Sequence, residues 1–278
     1  MRMSARGKPH RIAYGPEYLQ FGELYVPRTP DAHDPYPVIL LIHGGYWRAR
    51  YDLTLMTDLA RDLAERGYAA WNIEYRRVGD AGGGWPGTFF DVARAADHVQ
   101  TIAPGYNLDV RRVVAIGHSA GGHLACWLAA RRRIPANSPL APGAQDGSPA
   151  TLALAGVVSQ AGVLNLETAW KLHLSNDAVV ELLGFSWPDA PDRYLAASPA
   201  ALLPLGVPQI ILHGTRDAHV PIEISRDYAA KALAARDPVE YIELEGADHF
   251  DLIHPRSQAW SVTLEALKKL LMHISSSL

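Results

Sequence analysis

Short apolar runs recur along the chain and alternate with segments in which apolar residues follow a helical period. The runs are almost continuously apolar, which is typical of strands in a parallel sheet covered by helices on both faces. The predicted strands are Leu24–Val26, Val38–Ile42, Ala69–Ile73, Val113–Ile116, Leu152–Val158, Gln209–Leu212 and Val239–Leu244. The alternation predicts an α/β fold with a mostly parallel central sheet and right-handed crossovers.

Helical periodicity marks most of the segments between these strands. The predicted helices cover residues 53–68, 89–103, 122–133, 223–237 and 256–274. Gly67 closes the first of them, as expected for the residue just after a helix C-terminus, where a left-handed backbone is common. These helices would cover both faces of the sheet.

Two stretches depart from this alternation. Residues Ile134–Ala150 are rich in Pro, Gly, Ala and Ser, which predicts a surface loop. Residues Gly162–Leu205 form a longer connection than a crossover needs and contain short helical pieces. We expect this stretch to be a cap-like insertion over the carboxyl ends of the strands, where ligands bind in open α/β folds. Residues 1–278 show no domain linker, so we interpret them as a single domain.

Composition narrows the classes of partner. The formal net charge of −3 provides no basic surface for nucleic acid or for an anionic membrane. The single cysteine, Cys126, excludes an intrachain disulfide and is expected to be a buried core thiol. The N-terminal segment is basic but has no apolar core of the kind found in secretory signals, and no apolar run is long enough to span a bilayer. We therefore expect a cytoplasmic protein.

A serine between two glycines follows the predicted strand at Val113–Ile116. Residues Gly117–Gly121 read GHSAG and fit G-x-S-x-G, the nucleophile elbow. Glycines two positions before and after Ser119 suit a turn so tight that side chains there would meet neighbouring backbone. Such a turn holds the serine in a strained conformation above the sheet, ahead of a helix N-terminus. Ser119 is therefore the candidate nucleophile.

A second glycine-rich turn follows the strand at Val38–Ile42. His43 precedes Gly44 and Gly45 there, and backbone without side chains can approach a substrate oxygen closely. The amides of Gly44, Gly45 or Tyr46 are therefore candidates for one half of an oxyanion hole. The amide after the nucleophile, that of Ala120, is the candidate for the other half.

An acid and a base follow two later strands. Asp217 lies after the strand Gln209–Leu212, and His249 lies after Val239–Leu244. The chain order Ser119, Asp217, His249 is the serine, acid, histidine order of α/β-hydrolases. His249 would accept the proton of Ser119 and return it to the leaving group, while Asp217 would fix the imidazole tautomer. The parallel strands would bring all three residues to one edge of the sheet.

Other polar residues near these strand ends receive different interpretations. His254 is the alternative base, and Asp248 and Asp251 are weaker candidate acids because they share the loop of His249. The histidines that adjoin motif glycines are expected to pack and form hydrogen bonds: His43, His118 and His213. The candidate substrate-binding residues are Tyr46, Trp47, Trp85 and His118.

No cofactor is expected. Residues Gly82–Gly87 fit the dinucleotide pattern G-x-G-x-x-G literally, but they neither follow a strand directly nor open a helix. The sequence contains no H-E-x-x-H, no paired cysteines and no acidic cluster with metal-ligand spacing. We interpret the glycine-rich segment as a flexible loop beside the active site.

The four motifs in this order resemble the α/β-hydrolase superfamily over nearly the whole chain. HGGYW at His43–Trp47 resembles the oxyanion segment of kynurenine formamidase-like hydrolases and related esterases, with Tyr46 where other relatives have a third glycine. GHSAGGHLA and HGTRDAHVP are similar to segments common in small bacterial esterases. The resemblance implies cofactor-free hydrolysis of esters or amides through an acyl-enzyme.

Three functions follow from these motifs and this resemblance. The first is a carboxylesterase acting on small esters. The second is an arylformamidase acting on N-formylkynurenine, an aryl formamide. The third is a non-catalytic binding protein on the same scaffold, which the presence of Ser119, Asp217 and His249 makes the weakest of the three. A homodimer is left open.

Overall fold

A computed structural model describes residues 8–27, 34–143 and 151–276, and it contains a central sheet of eight strands. The strands lie in the order β1-β2-β4-β3-β5-β6-β7-β8. The pairs β1–β2 and β2–β4 are antiparallel and the remaining pairs are parallel. The strands are β1 (His10–Ala13), β2 (Phe21–Tyr25), β3 (Tyr36–Ile42), β4 (Ala69–Ile73), β5 (Leu108–His118), β6 (Gly156–Gln160), β7 (Gln209–Gly214) and β8 (Val239–Leu244). The predicted mostly parallel sheet is confirmed.

Helices pack on both faces of this sheet. The described α-helices are α1 (Thr57–Glu65), α2 (Gly87–Tyr106), α3 (Ala120–Ala130), α4 (Leu166–Lys171), α5 (Ala178–Leu183), α6 (Pro191–Ala197), α7 (Ile222–Ala234) and α8 (Gln258–Ser276). Strand β3 explains the two layers, because Leu40 and Ile42 enter one core cluster while Ile39 and Leu41 enter the other. Alternate side chains of a strand point to opposite faces, so a continuous apolar run supplies both cores.

Two of the differences from the predicted strands have a clear physical cause. Strand β1 was not predicted, because its four residues HRIA form no apolar run, are mostly exposed and pair only at the edge of the sheet. Strand β6 begins at Gly156 instead of Leu152. Leu152 and Leu154 precede the strand and are buried in the core, which explains why they are apolar although they are not part of the strand.

The first helix ends as its sequence indicates. Helix α1 ends at Glu65, and Gly67 follows with a left-handed φ of +92°. A side chain at position 67 would have room, so glycine is favoured there because of its left-handed backbone conformation. Among the described residues, no helix is long and apolar enough to span a membrane.

The stretch 162–205 contains the short helices α4, α5 and α6. Arg48, beyond the end of β3, donates to Glu181 of α5 at 2.6 Å. The Trp127 indole of α3 donates to the carbonyl of Ala196 at 3.1 Å. These contacts hold the stretch against the elements that follow β3 and β5. In the stretch 134–150, Ile134 is buried, whereas residues 144–150 lie outside the described residues.

Candidate active site

Ser119 is the single residue between β5 and α3. Its backbone is left-handed, with φ 56° and ψ −121°, a conformation that a side chain makes costly. A Cβ at Gly117 would collide with the carbonyl oxygen of Gly121, and a Cβ at Gly121 would collide with the carbonyl of Ile42. The glycines therefore allow the close approach that holds the serine in this turn, as the sequence predicts.

Asp217 and His249 are brought together from different loops. Nδ1 of His249 lies 2.6 Å from Oδ2 of Asp217, and the two side chains are 5% and 0% exposed. Burial alone would raise the pKa of Asp217, but hydrogen bonds from His213 and His249 outweigh it and lower that pKa well below its usual value. The carboxylate is therefore ionised and orients the imidazole.

His118 links this pair to the serine turn. Its Nε2 lies 2.9 Å from the carbonyl oxygen of His249, and the two rings are 4.4 Å apart. A carbonyl only accepts, so Nε2 carries the hydrogen. Burial lowers the pKa of His118 to about 3, so the ring is neutral at working pH. The structure thus corrects the expectation that His118 contacts substrate: it is a buried residue that joins Ser119 to the His249 loop.

The oxyanion segment lies directly against Ser119. A Cβ at Gly44 would be 2.9 Å from Cβ of Ser119 and 2.7 Å from the carbonyl oxygen of His118. Gly45 and Tyr46 both have left-handed backbones, with φ 110° and 50°. These conformations turn the chain sharply beside the serine. The amides of Gly44, Gly45 and Tyr46 therefore stay candidates for the first half of the oxyanion hole.

The second half can be narrowed to one amide of the serine turn. The Ser119 N–H donates to the carbonyl of Gln160 at 2.8 Å, so this donor is already occupied. Ala120 begins helix α3, where the first N–H groups have no partner within the helix. The dipole of the helix also favours negative charge at this end. Ala120 therefore stays the candidate for the second half of the oxyanion hole.

Replacing Gly44 by alanine tests the close approach of Gly44 to Ser119 and to the carbonyl of His118. The added methyl group would displace either the segment or the carbonyl of His118. We expect Gly44→Ala to lower kcat by about 10²-fold, the scale of losing one oxyanion donor, with the fold retained. Ester hydrolysis and the melting temperature should be measured side by side, with Gly67→Ala as a stability control. Wild-type kcat in a folded Gly44→Ala protein would contradict the placement.

A buried polar network supports the oxyanion segment from behind. Nε2 of His43 lies 3.1 Å from Glu74, and the Tyr75 hydroxyl donates to the carbonyl of His43 at 2.9 Å. Arg77 lies 3.1 Å from the same carboxylate. His43 therefore packs and forms hydrogen bonds, as predicted. The role of Glu74 was missed, although a charged residue immediately after the apolar strand β4 was a visible signal.

The three predicted aromatic residues have different surroundings. Tyr46 is half-buried, and its hydroxyl donates to the carbonyl of His219 at 2.6 Å. Trp85 is also half-buried, with the guanidinium of Arg193 at 5.3 Å from its ring. Trp47 is fully buried and donates through Nε1 to Nδ1 of His123 at 3.2 Å. The expectation that Trp47 binds substrate is therefore wrong, since its side chain is buried in the core.

The glycine-rich segment is packed against its surroundings. A Cβ at Gly83 would collide with the carbonyl of Arg77, and the Trp85 N–H donates to the carbonyl of Leu182 at 2.8 Å. Helix α2 begins at Gly87, so it starts earlier than predicted. The segment thus joins the oxyanion side of the site to the helices of stretch 162–205.

Acid should destabilise the protein through His123. Burial lowers the pKa of His123 to about 4 from an ordinary 6.5, so below pH 6.5 only the unfolded chain gains the proton. Stability is therefore complete above about pH 6.5 and falls toward pH 4, by about 2 kcal/mol at pH 5 from this group. Urea unfolding at about pH 7.5 and pH 5 should show a smaller pH dependence in His123→Gln. An equal dependence in both proteins would contradict this assignment.

The alternative acids and base have local roles. His254 is exposed and its Nδ1 accepts from the amide of Arg256 at 3.3 Å. Asp248 accepts from the amides of Phe250 and Asp251, at 2.8 and 3.0 Å, and so caps a turn. Nothing in these contacts directs any of the three toward Ser119.

Two further observations bear on the chemistry of the site. Cys126 is buried, and burial raises the pKa of its thiol to about 12, so it is not an activated nucleophile. Within the described parts of the chain, no group of three or more His, Cys, Asp or Glu residues could hold a metal ion.

The comparisons with known proteins agree with this geometry. Residues 23–232 match the family BD-FAE. The chain belongs to the BD-FAE family. Its fold is the α/β-hydrolase fold, as predicted, because this BD-FAE chain also superposes on solved esterases. A native esterase, Est2 of the planctomycete Thermogutta terrifontis, has a TM-score of 0.76 and 25% identity, covering 96% of this chain and 92% of Est2.

Two of the curated relatives are also named as esterases. Esterase LipC of Mycobacterium tuberculosis is 27% identical over 87% of this chain and 60% of its own length. A probable isoprenylcysteine alpha-carbonyl methylesterase of rice is 27% identical over 87% of this chain and 58% of its own length. This BD-FAE chain therefore spans about 60% of the length of the curated relatives it matches. The predicted kynurenine formamidase-like branch stays a prediction.

Proposed function

We propose that this BD-FAE protein is a serine carboxylesterase that cleaves small esters through an acyl-enzyme. The observation that carries the proposal is the pairing of a strained serine turn with a buried imidazole and carboxylate. Ser119 is held between β5 and α3, and the 2.6 Å contact of His249 with Asp217 supplies an oriented base. The esterase relatives support the same reaction class.

The proposed reaction has two halves. Oγ of Ser119 attacks the ester carbonyl while Nε2 of His249 takes its proton, and Asp217 stabilises the imidazolium. The amide of Ala120 and one from Gly44–Tyr46 donate to the tetrahedral oxyanion. The intermediate collapses as His249 protonates the departing alcohol, which leaves an acyl ester on Ser119. Water activated by His249 then releases the carboxylic acid and restores the serine.

The proposed substrate is small, with a short acyl group. The helices in stretch 162–205 have 6, 6 and 7 residues, and none forms a long amphipathic surface that could act as a lipid-facing lid. Thermogutta terrifontis Est2 has also been solved with propionate bound. That structure is 25% identical to this chain, has a TM-score of 0.77, and the match covers 98% of this chain and 96% of Est2. Both observations favour short acyl chains.

A chain-length series of p-nitrophenyl esters tests this specificity. We expect kcat/KM to peak at about two to four acyl carbons and to fall sharply by about eight, because an added methylene gains affinity only where a pocket buries it. The assay should be free of detergent, with a lipid emulsion as a separate arm. A maximum at long chains, or activation at the lipid interface, would contradict a small acyl site.

A comparison of an aryl formamide with an ester separates an arylformamidase from an esterase. The two reactions use the same nucleophile and base, so the catalytic residues alone do not distinguish them. N-formylkynurenine should be compared with p-nitrophenyl acetate on one preparation of the wild-type protein. We expect a higher kcat/KM for the ester, and the opposite order would favour the formamidase.

A further inference from the structure

One carboxylate oxygen of Asp217 contacts two buried histidines. Its Oδ2 lies 2.6 Å from Nδ1 of His249 and 3.2 Å from Nε2 of His213. The side chains of His213 and Asp217 have no exposed surface. The proposed reaction needs only His249 as base, which leaves the second imidazole without a role in it.

The surroundings of His213 determine where its hydrogen lies. Nε2 is 3.2 Å from the carboxylate of Asp217 and 2.9 Å from the carbonyl of Val220. Both neighbours only accept, so Nε2 must carry the hydrogen. Nδ1 lies 2.7 Å from Oγ of Ser225 on helix α7. In the neutral ring Nδ1 accepts from this hydroxyl, which holds the tautomer in place.

We propose that His213 is a positioning residue that aims the carboxylate of Asp217 at His249, with Ser225 holding the ring of His213. This inference rests on the proposed esterase function. The chain of contacts runs from Ser225 through His213 and Asp217 to His249, and it connects helix α7 to the loop after β8.

The carboxylate has donors on both oxygens. Oδ1 accepts from the amides of His219 and Val220 at 2.8 and 2.9 Å. Oδ2 accepts from Nδ1 of His249 at 2.6 Å and lies 3.2 Å from Nε2 of His213, whose N–H it shares with the carbonyl of Val220. Without His213, Oδ2 would lose this shared N–H and keep only the donor of His249 inside a buried site. The carboxylate would then be free to tilt, and its unshared charge would interact more strongly with the imidazolium of His249. We therefore expect a lower kcat. We also expect the acid limb of the pH profile of kcat to move to higher pH.

Other titratable groups face these residues and must be accounted for. His118 packs on the ring of His249, but with a pKa of about 3 it stays neutral over the range tested. Glu243 pairs in register with His213 on β8, and a hydrogen bond from Arg226 lowers its pKa. The exposed ring of His219 lies 5.0 Å from that of His249. His219 is therefore replaced by glutamine in the background of every variant.

The decisive variants differ in whether they keep a donor. His213→Leu removes the donor at similar volume, whereas His213→Gln can return an N–H to Asp217. With p-nitrophenyl acetate we expect His213→Leu to lower kcat by about 10- to 100-fold, the scale of losing a hydrogen bond to a charged group, with KM changed less than about twofold. The acid limb should move to higher pH, and His213→Gln should restore most of both properties. Ser225→Ala should lower kcat by about threefold to tenfold through the same ring.

A readout independent of turnover separates this inference from the proposed function. Nuclear magnetic resonance of nitrogen-labelled histidine gives the midpoint of the His249 ring titration in each variant, and it should rise in His213→Leu. A wild-type protein that cleaves no ester would refute the esterase proposal, while the titration would still test the positioning. A folded His213→Leu protein with unchanged kcat and an unchanged midpoint would overturn the inference. A loss of kcat with no change in midpoint and no rescue by glutamine would also overturn it, because that pattern indicates a merely structural role.

Discussion

Ser119→Ala should reduce kcat for p-nitrophenyl acetate by about 10⁵- to 10⁶-fold, the largest effect expected of a single substitution in this chain. The methyl group leaves no atom to form the acyl bond. Residual hydrolysis would come only from substrate binding and the donors of the oxyanion hole. Alanine fits the space of serine but keeps the strained backbone at φ 56°, so the fold should be retained.

The assignment of the nucleophile can be checked without substrate turnover. An organophosphate should add one phosphoryl group to Ser119 of the wild-type protein, located by mass spectrometry of the peptide that contains it. Ser119→Ala should take up none at that peptide. Its circular dichroism and melting temperature provide the control for folding. Label on another residue of the wild-type protein would refute Ser119 as the nucleophile.

Asp217→Asn should lower kcat by about 10⁴-fold, as expected when the acid of such a triad is neutralised. The contacts of the carboxylate explain why. Oδ1 is held by the amides of His219 and Val220, so the asparagine oxygen takes that position and its NH₂ group faces the imidazoles. His249 must then accept at Nδ1 and carry its hydrogen on Nε2. An Nε2 that already carries hydrogen cannot take the proton of Ser119.

The matched controls for this prediction are two histidine variants. His249→Ala should be comparably severe because it removes the base itself. His254→Ala should change kcat less than about twofold, since this exposed ring contacts only the backbone of its own turn. If His254→Ala were the more damaging variant in a folded protein, His249 would not be the base.

The sequence predicted the central fold well because its signals were local. Continuous apolar runs at Val38–Ile42 and Val113–Ile116 required burial on both faces, which a parallel sheet between helices provides. Strand β1 carried no such signal, since a polar edge strand is defined by its partner and not by its composition. The start of β6 was predicted too early for the opposite reason. The buried leucines before the strand are as apolar as the strand itself.

The supporting residues of the site were harder to predict. Trp47 lies two residues after Gly45, yet its side chain is buried in the core and donates to His123 on helix α3. Glu74 and His213 are buried polar residues whose partners come from other elements. His213 was expected to pack and form hydrogen bonds and Glu74 was not singled out, and nothing local to either residue indicated its partner.

The sequence by itself determined the serine turn. The glycines beside Ser119 and the strand and helix around it specify the elbow, because a side chain at Gly117 would collide with Gly121 within the same turn. The requirement for glycine at position 121 is tertiary, since a side chain there would meet the carbonyl of Ile42. The sequence also determined the order of serine, acid and histidine. The tertiary structure decided which histidine meets Asp217, why His118 is neutral and where Trp47 lies. Those outcomes depend on the order of strands in the sheet, which brings together residues that are 32 to 131 positions apart and shields them from water.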